Sequence, residues 1–245
     1  MEAAAAPVTE PTRLVPTHQR KILRSAEAEA VPFFDENRVP IETIEVPNPE
    51  IAGLTPEQYT VIGSKETYRL AQQPGSYVVI KYIRPVSKRL DTQAISCPSA
   101  PVGVLEGSRA DVSFVAGVTV DKFLYHLPLY RIHQRLQDMG FTLSRVWLTQ
   151  LMQQIARLLR LCKPLHNRKA WLFCWTELGA KQVGIVQSLL TTCRLHDINP
   201  YDYLVDVLQR VSQHPSARVV ELTPRLWKQH FAANPLRSDL YNISR

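Results

Sequence analysis

The sequence has no long apolar run: nowhere do about 18 apolar residues stand together, so no membrane-spanning helix is expected. Its four cysteines, Cys97, Cys162, Cys174 and Cys193, show no paired spacing, which argues against a disulfide framework and the usual zinc patterns. The opening MEAAAAPVTE lacks a basic start followed by an apolar stretch, so it does not read as a secretory leader. Together these absences point to a soluble, reduced, cytoplasmic protein. Glycine is scarce at nine residues, and neither a phosphate-cradling glycine loop nor a Gly-x-Ser-x-Gly elbow occurs.

Acid is also missing, but only locally. Residues 1–110 carry 12 basic and 13 acidic side chains and are close to neutral. Residues 121–170 carry nine basic side chains (Lys122, Arg131, Arg135, Arg145, Arg157, Arg160, Lys163, Arg168 and Lys169) against Asp121 and Asp138 alone. With a net charge of +7, that block suggests an anionic partner, nucleic acid first; a merely solvated face is the plainer alternative.

The pattern of the chain is α+β. Residues 1–38, rich in Ala, Pro and Glu with one basic cluster, HQRKILR, lack any sustained periodicity and read as a disordered arm. Residues 39–106 read as a small β unit of three or four strands. IETIEVP alternates there, and ETYRLAQQPGSYVVIKYIRPVSKR looks like two strands joined at Pro74-Gly75. Twelve of the 18 prolines fall before Val102, which argues against long helices in that part.

From Gly107 the period changes to that of helices. Residues 107–161 give one helix capped by Ser108, and a second with Pro128 in its first turn and Gly140 as its stop. Ser144 caps a third. In the third, Leu148, Leu151, Met152, Ile155, Leu158 and Leu159 follow the i, i+3, i+4, i+7 rule. Residues 162–245 add a strand-like AWLFCW, helices over 180–195 and 200–211, a short turn of helix at LTPRLWKQHF, and a polar tail.

The second and third helices have helix-turn-helix dimensions. In such a motif residues near the start of the second helix read bases, here Ser144, Arg145, Thr149 and Gln150. Arg131, His133 and Arg135 would hold the backbone, with Lys122 and Arg157 completing the basic set. A plain helical hairpin with a polar face is the alternative. No catalytic residue is assigned, and no metal: Cys162, His166, Cys174, Cys193 and His196 can be combined on paper but match no usual spacing. The acids after Ala110 are expected in helices or loops, mostly exposed.

Several stretches together resemble the insertion sequence 66 family of transposases. They are GSRADVSFVAGVTVDKFLYHLPLYRIHQRL, GFTLSRVWLTQLMQQIARLL, NRKAWLFCWTELGAKQVGIVQSLLTTCRL and NPYDYLVDVLQRVSQHP. The resemblance implies DNA transposition by a ribonuclease-H-like core whose Asp, Asp, Glu triad holds Mg2+. It also implies a zinc module, but residues 48–63 contain no cysteine. In the family the core follows the segment ending in ARLL; here only RLC separates Leu159 from Lys163. The triad therefore has no positions to occupy. The expectation is an internally deleted, catalytically inactive transposase whose partner is DNA at insertion-element ends. It could instead modulate an intact transposase or accessory element proteins there, or be a remnant that folds poorly around the seam near Cys162.

Overall fold

The computed structural model describes residues 33–73, 75–105, 107–162 and 177–243. The basic cluster at 18–24 lies outside them, as do AWLFCW and the seam from Lys163 onward.

Strands β1 (Ile41–Glu45), β2 (Tyr59–Gln73), β3 (Ser76–Arg89) and β4 (Ile95–Ser96) make one four-stranded sheet. The long hairpin β2–β3 is its body, in register from Gln73↔Ser76 to Tyr59↔Arg89 with one irregularity between Val61 and Gly63. Gly75 turns the hairpin at φ +84, a conformation open to glycine and strained for most side chains. β1 runs parallel to β3 and β4 antiparallel, both on the edge of β3 that β2 leaves open.

Alternation along the strands loads both faces of the sheet. Leu70, Tyr77 and Val79 enter the main core, while Ala71, Val78, Ile80 and Tyr82 form a second cluster with Leu240. The tail read as polar thus supplies a cover: α7 (Asp239–Ile243) places Asp239 to accept a 2.7 Å hydrogen bond from the Tyr82 hydroxyl.

The sheet is spliced to the helices at Leu70. Its N–H donates to Arg109 O at 2.7 Å and its carbonyl accepts from Asp111 N at 2.8 Å. The cap of α1 (Val112–Phe123) is therefore Asp111 and not Ser108. The Asp111 carboxylate accepts from Ser113 N–H at 2.8 Å and from its hydroxyl at 2.6 Å, satisfying an orphan donor of the first turn. The Ser108 hydroxyl oxygen accepts from Ala110 N–H at 3.2 Å, short of the helix. Every residue from Val112 to Val120 is buried, as suits a helix apolar nearly all round.

Against α1 pack α3 (Arg145–Leu159), α4 (Glu177–Leu195) and α5 (Pro200–Arg210), while α2 (Leu129–Asp138) joins the core through α3 and α6 (Pro224–His230) through α4. Two further findings revise the expected boundaries. Phe33 and Phe34 are buried in the main core, so residues 33–38 belong to the fold. One continuous core also draws on all three stretches once set apart at 106 and 161. Past the end of α3, Cys162 is buried, and α3 and α4 pack directly against each other.

Asp206 corrects the expectation of exposed acids in this part. It is fully buried on α5, and its carboxylate accepts from Arg210 Nε (2.7 Å), Trp227 Nε1 (2.6 Å) and Leu236 N (2.5 Å). Asp111 is buried as well.

Candidate nucleic-acid interface

α2 is short and strongly two-faced. Ile132, His133 and Leu136 are buried, while Tyr130, Arg131, Arg135 and Asp138 face solvent. It stops at Gly140 (φ +101), where a Cβ would lie 3.2 Å from Arg38 Cβ. The connection over residues 139–144 is long for a helical turn, but it is pinned from outside. Phe33 O accepts from Thr142 N at 2.7 Å, Gly140 O accepts from Asp35 N at 2.9 Å, and Phe34 bridges Phe141.

Ser144 caps α3 by accepting from Trp147 N at 3.1 Å. Trp147 stacks on Phe114 of α1 (centroids 6.1 Å apart, 27° between planes), which ties the start of α3 to the central helix. Leu148, Leu151, Met152, Ile155, Ala156 and Leu159 are buried. The opposite arc exposes Arg145, Thr149, Gln150, Gln153, Gln154, Arg157 and Arg160, and no Asp or Glu occurs from Arg145 to Cys162.

The nine residues singled out in the sequence do not share one fate. Arg131, Ser144, Arg145, Thr149, Gln150 and Arg157 are exposed on α2, on α3 or at the α3 cap. Thr149 spends its hydroxyl proton on Arg145 O at 3.0 Å and keeps its lone pairs outward as acceptors. Lys122 is half-buried, its ammonium 5.4 Å from the Phe123 ring centre.

Arg135, although exposed, reaches back to the hairpin. It donates to Gly75 O at 3.4 Å and lies 5.2 Å over the Tyr77 ring. Burial raises the pKa of Asp121 and of Tyr77, and the Arg135 charge opposes both shifts. His133 is the correction: it is buried, with Nε2 2.7 Å from Leu143 O, so it holds the connection and has no surface to offer a phosphate.

Arg160 belongs with the exposed set as well. It extends the same polar arc as Arg157, so helical periodicity alone would have found it.

Of the set combined on paper for a metal, His166 and Cys174 lie outside the described residues. Burial pushes the Cys162 and Cys193 thiols up to about 12, which disfavours the thiolate a metal would need. Among the described residues no helix is long and apolar enough to cross a membrane.

Two family models match the chain. Transposase IS66 family matches residues 107–167, and IS66 C-terminal element matches residues 188–225. The first therefore covers α1, α2 and α3, and the second runs from the end of α4 into the start of α6. Among curated proteins, uncharacterized protein y4hP of Sinorhizobium fredii is 42% identical over 67 residues, 27% of this chain and 12% of its own length. Uncharacterized protein y4jD of the same organism is 30% identical over 113 residues, 44% of this chain and 20% of its own. The chain thus spans a fifth or less of these relatives. No solved structure matches it. Both family models fall in order on the helices that carry the basic arc and the buried Asp206, so over residues 107–167 and 188–225 the chain is similar to the IS66 transposase family.

Proposed function

We propose that this protein binds DNA through α2 and α3 and does not itself cut or join strands. The observation that carries the reading is the acid-free exposed arc of α3, which holds Arg145, Gln150, Arg157 and Arg160 on a rigidly capped helix. Arginine forks onto guanine and glutamine onto adenine in the major groove, and arginine neutralises phosphate. In this reading α2 and α3 act as a helix-turn-helix. Ser144, Arg145, Thr149 and Gln150 approach bases, while Lys122, Arg131 and Arg157 meet phosphates and Arg135 and His133 brace the unit.

Among the described residues, the carboxylates do not fit the Mg2+ chemistry that the family resemblance implies. Such a centre needs two or three carboxylates converging on one point. Here Asp111 caps α1, Asp202 pairs with Arg237 at 2.7 Å, Asp239 accepts from Tyr82, and Asp206 serves three donors. An internal deletion at the seam after Leu159 accounts for this pattern. A cytoplasmic protein that occupies insertion-element ends without cutting them would compete there with an intact transposase.

The test is fluorescence anisotropy of the purified chain with an insertion-element end and with a scrambled duplex, alongside plasmid nicking in Mg2+ or Mn2+. Preference for the element end, lost in the Arg145→Ala/Gln150→Ala variant, together with no nicking, is the expected result. Metal-dependent cleavage, or equal binding to both duplexes, would overturn the reading.

A further inference from the structure

Duplex reading by α3 leaves the basic cluster HQRKILR at residues 18–24 unused. Arg13, Arg20, Lys21 and Arg24 occur between Pro11 and Ala26, where the sequence has no Asp or Glu. The cluster lies outside the described residues, but the chain that follows it enters the fold at a defined point.

That point is the connection between α2 and α3. Phe33 is buried, its carbonyl accepts from Thr142 N at 2.7 Å, and the Arg109 guanidinium lies 5.5 Å over its ring. Phe34 pairs with Phe141 in an isolated antiparallel bridge, Asp35 N donates to Gly140 O at 2.9 Å, and Arg38 donates to Asp138 O. Thr142 stands two residues before Ser144, the cap of α3. The chain is thus fastened beside the end of α3 that approaches bases in the reading above.

The length of the tether sets what the cluster can touch. Arg24 is nine residues ahead of Phe33. At about 3.3–3.6 Å per residue it can stand no further than about 30 Å from it. One turn of duplex is about 34 Å, so a helix in the major groove has the adjacent minor groove about 17 Å away, within that reach. The minor groove is too narrow for a helix, and where it narrows further its negative potential draws arginine and lysine. An acidic protein would also satisfy the cations, but nothing fastens it beside α3. A duplex held by α3 is there already, at the high effective concentration that a short tether gives.

We propose that Arg20, Lys21 and Arg24 enter the minor groove that flanks the site read by α3. This placement rests on duplex binding by α3 and adds a second groove to it.

The test is hydroxyl-radical footprinting, with anisotropy against salt, using the full chain on an insertion-element end. The variants are Arg20→Ala/Lys21→Ala/Arg24→Ala and Arg145→Ala/Gln150→Ala, each checked for an unchanged melt. The parent should protect a minor-groove tract about half a turn from the α3 site. The arm variant should lose that tract alone and keep its preference for the element end over a scrambled duplex. Its slope of log affinity against log salt should be shallower by about 2–3. The α3 variant should lose the preference. An arm variant with the parent's footprint and slope would overturn the proposal and leave α3 as the reader. A shallower slope with no flanking tract in the parent would overturn the groove assignment, placing the cations on phosphates. A parent without preference for the element end would overturn the reading of α3, and the arm's placement with it.

Discussion

Asp206 shows how much one side chain holds here. Three donors converge on its buried carboxylate from α5, α6 and the C-terminal segment. Asp206→Ala leaves an arginine, an indole N–H and a backbone N–H unpaired, and should cost about 3–5 kcal/mol. Urea denaturation would read this as a lower midpoint, with Asp206→Asn losing less because one oxygen remains. A loss under about 1 kcal/mol in the alanine variant would contradict the assigned network. The sequence could not reveal Asp206 as buried, because its partners Trp227 and Leu236 lie far along the chain and only folding brings them to it.

The buried thiols act at the same scale. Cys162 and Cys193 are raised from an ordinary 9.0 to about 12, and Tyr201 from 10.0 to about 12, all by burial first. The folded state then keeps protons that the unfolded chain releases, so their contribution to stability is complete below about pH 9. It is lost as pH rises toward 12. The urea midpoint should therefore fall between pH 8 and pH 10.5, and replacing both cysteines by alanine should flatten part of that fall. A midpoint constant over this range would contradict the burial of these groups.

Helix α3 was legible as an element: its cap, apolar stripe and polar arc all follow from residue types at helical spacing, and Gly140 marks the stop before it. Ser144→Ala should cost about 1 kcal/mol by removing the acceptor for Trp147 N–H. His133 points inward, and the sequence carries the signal for it. Positions 129, 132, 133 and 136 form an i, i+3, i+4, i+7 set, and a polar residue name hid its inward place. His133→Ala should lower stability by about 1–3 kcal/mol, since Leu143 O loses its partner. The folded fraction should bind duplex with an unchanged salt slope. A shallower slope would return His133 to the phosphate contacts. The pinning of the α2–α3 connection by residues 33–38 was not legible, because a strand-like bridge between Phe34 and Phe141 carries no local pattern.

At the scale of the molecule, the sequence suggests parts in a row, whereas among the described residues from Phe33 onward the packing joins them in one core. Leu70 of the sheet, Phe114 of α1, Leu148 of α3, Leu190 of α4 and Leu204 of α5 share a single core. Helices on both sides of the seam pack together, which argues against a remnant that folds poorly. Trp fluorescence and far-ultraviolet circular dichroism should accordingly report one coincident thermal transition. Two separated transitions would mean that the pieces on either side of the seam melt independently.

The most direct measurement is the salt dependence of duplex binding by the parent chain and by Arg145→Ala/Arg157→Ala/Arg160→Ala. Each phosphate contact contributes about −0.9 to the slope of log affinity against log salt. If the exposed arc of α3 is what meets DNA, the triple variant should have a slope shallower by about 2, with its melt intact. An unchanged slope and affinity in a folded variant would show that the arc is only a solvated face.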